Sequence, residues 1–144
     1  MQFKIPTLLR TLVVTGQWQH PGDDVLRQVI PKLADPVDFR NWVPQSTIAD
    51  ELETSFSSVD WETFKLYRNG QPKMMLPWLN ADQAVFIALN RIPGDDIAIA
   101  LDYRDYAEQP TVVASYWPEN KHHEWFKVAD SFDSFVQTLR TMIA

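Results

Sequence analysis

The amino-acid sequence predicts a single α+β domain over residues 1–144, with a mainly antiparallel sheet of five to six strands flanked by N-terminal helices and a C-terminal helix. Three observations lead to this prediction. The chain has 144 residues, 45% of them hydrophobic, which is enough to bury one sizeable core. The spacing of its apolar residues changes from helical to alternating near residue 60 and becomes helical again near residue 131. The connections between the predicted strands are short, which favours antiparallel neighbours.

Two helices are predicted in the N-terminal part, which covers about residues 1–55. The first covers residues 5–14 and ends at Gly16. The second begins at an Asp-Asp pair and covers residues 23–33, although Pro31 is able to bend or end it. Its apolar residues recur on one helical face: Val25, Leu26, Val29, Ile30 and Leu33.

The remainder of the N-terminal part connects these helices to the sheet. Residues 34–44 are expected to form an irregular connection that packs against the domain, because it carries Phe39 and Trp42. A short helix is expected over residues 48–52, with Ser46 or Thr47 as its N-terminal cap.

The sheet is predicted to cover about residues 60–128. Residues 61–67 alternate between two faces, and the Asn69-Gly70 pair that follows is the strongest short-range signal for a β-hairpin. The other predicted strands cover residues 73–76, 83–89, 97–103, 111–117 and 123–128.

The strand over residues 97–103 has two different faces. One carries large apolar side chains, whereas the other carries the small residues Ala98 and Ala100, which indicates a close-packed neighbour on that side. A final helix over residues 131–143 is predicted to dock one face on the sheet, through Phe132, Phe135, Val136, Leu139 and Ile143.

Charge and composition restrict the function. The formal net charge is −6, and residues 91–133 contribute −5 of it, from four Lys and Arg residues against nine Asp and Glu residues. This balance argues against binding to a phosphate backbone and permits attraction of a basic protein partner, although acidity also serves solubility alone. No segment has the roughly 20 apolar residues that a membrane-spanning helix needs, so we expect a cytoplasmic protein without membrane contact.

Catalytic and cofactor motifs are not found in the sequence. The chain has no cysteine, which excludes disulfides, a thiol nucleophile and cysteine-containing zinc sites. It contains no nucleophile elbow, dinucleotide-binding fingerprint or P-loop. The three histidines are His20, His122 and His123, and the adjacent pair would point to opposite faces of a strand. We therefore expect no enzyme activity, no metal and no cofactor.

One acidic cluster is the candidate site. It consists of Asp95, Asp96, Asp102, Asp105 and Glu108. Turn formation and solvation explain such residues after a Pro-Gly pair. A protein-binding surface is the second interpretation. The third is a small hydrolase or metal-dependent enzyme, because paired carboxylates serve as general acid and base or hold a divalent cation.

A turn and strand at residues 94–102 are followed by a strand at residues 112–117 and by the ending Val-Ala-Asp-Ser-Phe-Asp-Ser-Phe-Val-Gln-Thr-Leu at residues 128–139. Through these elements, residues 83–143 resemble the SUKH superfamily, which includes bacterial immunity proteins and the fungal Smi/Knr regulators of cell-wall synthesis. The resemblance implies a mainly antiparallel sheet flanked by helices and no catalytic residues. It also implies an immunity protein that binds and neutralises a toxin, often a nuclease or deaminase, from a polymorphic or contact-dependent system.

The favoured hypothesis is thus a protein-binding domain that neutralises a toxin. The partner considered is a basic nuclease-type toxin. The alternative is a regulatory interaction module without a toxin partner. A toxin gene immediately upstream would favour the first hypothesis, and an isolated gene would favour the second.

Charge reversal in the acidic cluster tests its assignment as the partner-binding surface. Substituting Lys for these carboxylates is expected to slow association with a basic partner and to reduce the salt dependence of the association rate, because steering acts mainly on that rate. Stopped-flow mixing at several salt concentrations measures both quantities. Unchanged kinetics would assign binding to another surface.

Overall fold

A computed structural model describes residues 2–33, 36–39, 51–53, 84–92, 97–104, 109–116 and 124–143 of the chain. Within these ranges the helices are α1 (Thr7–Val14), α2 (Asp23–Val29) and α3 (Phe132–Ile143). The strands are β1 (Gln2–Lys4), β2 (Val37–Phe39), β3 (Glu51–Glu53), β4 (Ala84–Asn90), β5 (Ala98–Asp102), β6 (Thr111–Tyr116) and β7 (Glu124–Ala129).

Five strands form one antiparallel sheet in the order β2-β4-β5-β6-β7. The four strands from β4 onward follow one another in both chain and space, and β2 adds to the edge beside β4. A separate two-stranded sheet pairs β1 with β3, also antiparallel. Helices therefore precede and follow an antiparallel sheet, which confirms the predicted α+β class.

The central strands β4 and β5 are buried on both faces. Every residue of β5 is buried, and in β4 only Leu89 is partly exposed. The predicted spans for β4, β5, β6 and β7 agree with the observed strands to within one residue at most ends. The agreement follows from the sequence of these segments, since each is a short, mostly apolar run bounded by polar and turn residues.

The two faces of the sheet carry different cores, as the alternation in residues 97–103 predicted. On one face Ile97, Ile99 and Leu101 join the main apolar cluster, together with residues of all three helices. On the other face Ala98 and Ala100 lie in a second cluster with buried aromatic residues. In that second cluster the rings of Phe86 and Trp125 stack with their centroids 6.0 Å apart.

Helix α1 forms as expected and ends in a left-handed turn. Pro6 precedes its first residue, where a missing N–H costs no helical hydrogen bond. Gly16 has φ of +73°, a conformation that glycine adopts without steric cost. Two backbone N–H groups close this end: Gly16 donates to the Val13 oxygen (3.1 Å) and Gln17 donates to the Leu12 oxygen (2.7 Å).

Helix α2 is shorter than the predicted span of residues 23–33, because it stops at Val29. Ile30 has φ −127° and ψ 80°, outside the helical region, as a residue before proline prefers. Pro31 thus ends the helix, one of the two outcomes expected for it. The Asp-Asp pair occupies the first turn rather than the cap position, which Gly22 takes.

Helix α3 docks the predicted face on the sheet and against α2. Its first turn is capped by Ser131, whose Oγ accepts a hydrogen bond from the Ser134 N–H at 3.1 Å. Four of the five predicted contact residues are buried, namely Phe132, Phe135, Val136 and Leu139. Ile143 is 59% exposed, since it lies in the final turn where no described element covers it.

Two predictions for the connecting segment were wrong. Val37–Phe39, expected to be irregular, pairs with β4 as an edge strand. Residues 51–52, expected to be helical, belong to β3. In both cases pairing with a distant strand decides the conformation, which local spacing does not report. The predicted hairpin around Asn69-Gly70 and the strand over residues 73–76 lie outside the described residues.

The helices in the described ranges are short. The longest, α3, has 12 residues. None of the helices in these ranges has the length and apolar character that crossing a membrane requires.

The packing of α3 on the sheet leads us to expect a large effect of one substitution on stability. Phe135→Ala removes a ring that is 1% exposed, and the cavity is expected to lower the free energy of unfolding by about 3–5 kcal/mol. Urea denaturation monitored by circular dichroism measures the change. The control Gln137→Ala alters an exposed side chain of the same helix and should change the free energy by less than about 0.5 kcal/mol. Equal effects of the two substitutions would contradict this packing.

Candidate functional site

The acidic cluster is only partly within the described residues. Asp102 lies at the end of β5 and is 7% exposed. Its carboxylate accepts hydrogen bonds from the Arg104 side chain at 2.9–3.1 Å and from the Arg104 backbone N–H at 3.1 Å. The structure therefore corrects the expectation of a solvated binding residue here, because Asp102 is buried and its charge is balanced locally. Asp95, Asp96, Asp105 and Glu108 lie outside the described residues.

His20 belongs to a turn rather than to a ligand set. Its Nδ1 accepts a hydrogen bond from the Gly22 N–H at 2.9 Å, so in the neutral ring the proton resides on Nε2. Nε2 lies 3.5 Å from Oδ1 of Asp23. Among the described residues no group of three or more His, Asp or Glu side chains is arranged to hold a metal ion. His122 and His123 lie outside those residues.

Arg91 joins three elements at one edge of the sheet. It follows β4, and its Nε donates to Oδ1 of Asp38 in β2 at 2.7 Å. Its Nη1 and Nη2 donate to the two carboxylate oxygens of Asp23, in the first turn of α2, at 3.0 and 3.1 Å. Nη2 also reaches the Val37 carbonyl at 3.3 Å, and the Arg91 backbone N–H donates to the Pro36 oxygen at 3.1 Å. This Arg91 cluster (Arg91, Asp23, Asp38) fixes α2 and β2 relative to β4.

The charges in the Arg91 cluster stabilise one another. The hydrogen bonds from Arg91 lower the pKa of Asp23, and the two carboxylates raise the pKa of Arg91. Such a bidentate pair holds a fixed geometry. Because its donors and acceptors are paired within the cluster, the arrangement positions neighbouring segments and offers no free acid or base.

An aromatic stack lies next to this cluster. The ring of Phe39, at the end of β2, stacks on Trp18 with centroids 4.3 Å apart and an interplanar angle of 16°. Trp18 also contacts Phe132 of α3, with a centroid distance of 5.8 Å. The loop after α1, the edge strand and α3 thus meet at Trp18.

A groove of about 320 Å³ opens beside this stack. Its floor and walls come from α1, the loop after it, β2 and the C-terminal half of α3. We call it the Trp18 groove. The described residues that line it are Leu12, Gln17, Trp18, Gln19, Pro21, Phe39, Val136, Leu139, Arg140 and Ile143.

The Trp18 groove is largely apolar and accessible. Besides Ile143, two other large apolar side chains near its helices are exposed, Val14 at 54% and Met142 at 43%. Two glutamine amides and Arg140 supply its polar groups. An apolar recess with a few polar groups at its margin suits the burial of side chains from another molecule.

A second cavity, of about 370 Å³, lies between the N-terminal ends of α1 and α3 and is more polar. Its described lining includes Thr7, Gln109, Ser131 and Asp133. The Ser131 hydroxyl is already engaged in capping α3. This cavity gathers no catalytic set among the described residues.

The residues of the Trp18 groove were not identified from the sequence. Ile143 was assigned to the correct face of the final helix, but it was expected to be buried. Trp18 and Phe39 are 21 positions apart, and the pairing of β2 with β4 that brings Phe39 into place was not predicted. Trp125 is 3% exposed and packs in the second core.

Comparison with known proteins identifies no relative: no family model matches the chain, and no curated protein or solved structure is significantly similar to it. The resemblance to the SUKH superfamily therefore stays a prediction. The observed fold agrees with the helix-flanked antiparallel sheet that the resemblance implies.

The contacts within the Arg91 cluster allow a prediction for the pKa of Asp23. The folded-state pKa of Asp23 is lowered, so ionised Asp23 stabilises the fold at pH values above the ordinary Asp pKa of about 3.9. This stabilisation is lost as the pH falls through the folded-state pKa. Arg91→Met should return the pKa of Asp23 toward its ordinary value. Carboxyl-detected NMR titration measures the change.

Asp130 is the internal control for that titration. Its pKa is lowered by a hydrogen bond from Lys127, and Arg91 is not among the causes. It should therefore titrate identically in both proteins. An unchanged Asp23 titration in Arg91→Met would contradict the assigned cause.

Proposed function

We propose that this chain is a non-enzymatic protein-binding domain that neutralises a toxin, and that its partner contacts the Trp18 groove. The observation that carries the proposal is the groove itself, an apolar recess lined by the exposed side chain of Ile143 and by the stacked rings of Trp18 and Phe39. An exposed apolar recess of this kind marks a protein-interaction site. Aromatic side chains in such recesses supply much of the binding free energy at interfaces.

The ion pairing of the described aspartates supports binding rather than catalysis. Asp23, Asp38 and Asp102 are engaged by arginine side chains outside the groove. General acid–base catalysis needs a titratable group within reach of a substrate in a recess. Among the described residues lining the Trp18 groove, the only charged one is Arg140, and no carboxylate or imidazole is among them.

The toxin-neutralising role rests on the resemblance of residues 83–143 to the SUKH superfamily. The proposed setting is the cytoplasm, where an immunity protein would meet an incoming toxin. Attraction of a basic toxin through Asp95, Asp96, Asp105 and Glu108 remains a prediction. Asp102 is not retained in that set, because its carboxylate is buried beside Arg104.

A co-expression experiment tests the proposed function. The candidate partner is the product of a toxin gene immediately upstream of the gene for this chain. Co-expression of the wild-type chain is expected to restore growth, and Ile143→Glu is expected to weaken both rescue and direct binding of the purified toxin by at least about tenfold, because it introduces a charge into an apolar contact.

Gln137→Glu is the matched control. It adds the same charge to the same helix, at an exposed position that is not among the groove residues. It should leave rescue and affinity unchanged. Failure of the wild-type chain to rescue growth, or the finding that the gene has no toxin gene upstream, would transfer the proposal to the alternative of a regulatory interaction module. Equal effects of both variants would remove the groove from the interface.

A further inference from the structure

Arg140 differs from most other described basic residues in its surroundings. Arg27, Arg91, Arg104 and Lys127 each form an ion pair with an aspartate, and Lys32 lies 5.1 Å from the ring centroids of Tyr116 and Phe126. Arg140 is exposed and lines the Trp18 groove, and no described carboxylate pairs with it. In a chain of net charge −6, a guanidinium in an apolar groove without a carboxylate partner is an unusual feature.

The position of Arg140 in its helix does not account for this feature. A cation in the last turn interacts favourably with the helix dipole, and both Arg140 in α3 and Arg27 in α2 occupy such a turn. Arg27 nevertheless pairs with Asp24 on its own helix. Residues 136 and 137, the corresponding neighbours of Arg140 one turn earlier, are Val136 and Gln137, so its helix supplies no carboxylate there.

The remaining groove residues define what lies beside the guanidinium. Leu139 and Ile143, on the same helix as Arg140, line the groove together with the stacked rings of Trp18 and Phe39. The volume of about 320 Å³ is at the lower end for ligand sites, which suits a few side chains better than a large cofactor. The amide of Gln17 can both donate to and accept from a peptide backbone, whereas Nε2 of Gln19 already donates to the Gly16 oxygen at 3.0 Å.

We infer that the Trp18 groove binds a segment of a protein partner that places a large apolar side chain against Trp18 and Phe39 and a carboxylate, from Asp or Glu, against Arg140. Charge complementarity decides this choice of occupant, because a guanidinium binds a carboxylate through two parallel hydrogen bonds. The inference deepens the proposed function, on which it rests, by giving the chemistry of the bound segment. A basic partner would thus still present an acidic residue at this position.

Peptide display provides the test. A library of random 12-residue peptides is selected on the immobilised full chain, and in parallel on Arg140→Glu and Arg27→Glu. Wild type and Arg27→Glu are expected to enrich peptides with Asp or Glu close to a large apolar residue. Arg140→Glu is expected to enrich Lys or Arg at that place. Arg27→Glu is the matched control, since it makes the same charge change in the last turn of a helix but outside the groove.

A double-mutant cycle then assigns the contact. One enriched peptide is synthesised with its acidic residue intact and with the corresponding amide, and fluorescence anisotropy measures both against wild type and Arg140→Gln. Each single change should weaken binding about threefold to fivefold, as for exposed ion pairs. The second change should then have little further effect, because the interaction is already lost.

Three results would overturn the inference: enrichment without acidic residues, the same enriched peptides on Arg140→Glu as on wild type, or a concentration-dependent dimer in analytical ultracentrifugation that is abolished by Arg140→Glu. The last would identify a second copy of the chain as the occupant. These outcomes are distinct from failure of the proposed function. Toxin rescue that is insensitive to Arg140→Glu would refute the inference alone, and acidic-peptide binding without toxin rescue would refute the toxin role alone.

Discussion

Burial of β4 and β5 on both faces is the constraint on which the rest of the described structure depends. A strand that is covered on one face only can present polar residues to solvent, but every residue of β5 is buried. Residues 98–101 pack in one of two cores, and Asp102 at the end of the strand pairs with Arg104. Large residues such as Ile99 and Leu101 face the helices, and alanines allow close packing on the other side. A shift of pairing by one residue would exchange these sets, so the pattern also specifies the register of the central pair.

The ion pairs of Arg91 extend this order to the edge of the sheet. β2 is only three residues long, and few hydrogen bonds of its own hold it against β4. Arg91 adds contacts to Asp38 and to the Val37 carbonyl, and it holds the start of α2 through Asp23. Because Phe39 directly follows Asp38, the same contacts bring its ring to Trp18. A structural ion-pair cluster thereby shapes an apolar groove that contains neither of its carboxylates.

The groove also shows how local and net charge differ. Acidic residues outnumber basic ones in residues 91–133, where the sequence predicted a binding surface. Asp102, in the described part of that region, is buried and paired. The Trp18 groove lies outside that region, and Arg140 gives it a positive charge. Net charge influences how a partner approaches, whereas the groups lining a recess decide what it holds. The two surfaces are compatible in one protein, since steering and docking act at different distances.

By itself the sequence determined the α+β class, the four strands β4 to β7, helix α1 and the buried face of α3. These elements have apolar patterns that are apparent within each segment of the sequence, so chain-local information suffices. Tertiary structure decided the rest. The strand character of Val37–Phe39 depends on a partner some 50 residues away, and the exposure of Ile143 depends on how α3 packs against its neighbours. The paired state of Asp102 and the meeting of Trp18, Phe39 and Arg140 are likewise products of packing, because residues distant in sequence become neighbours only when the sheet and helices assemble.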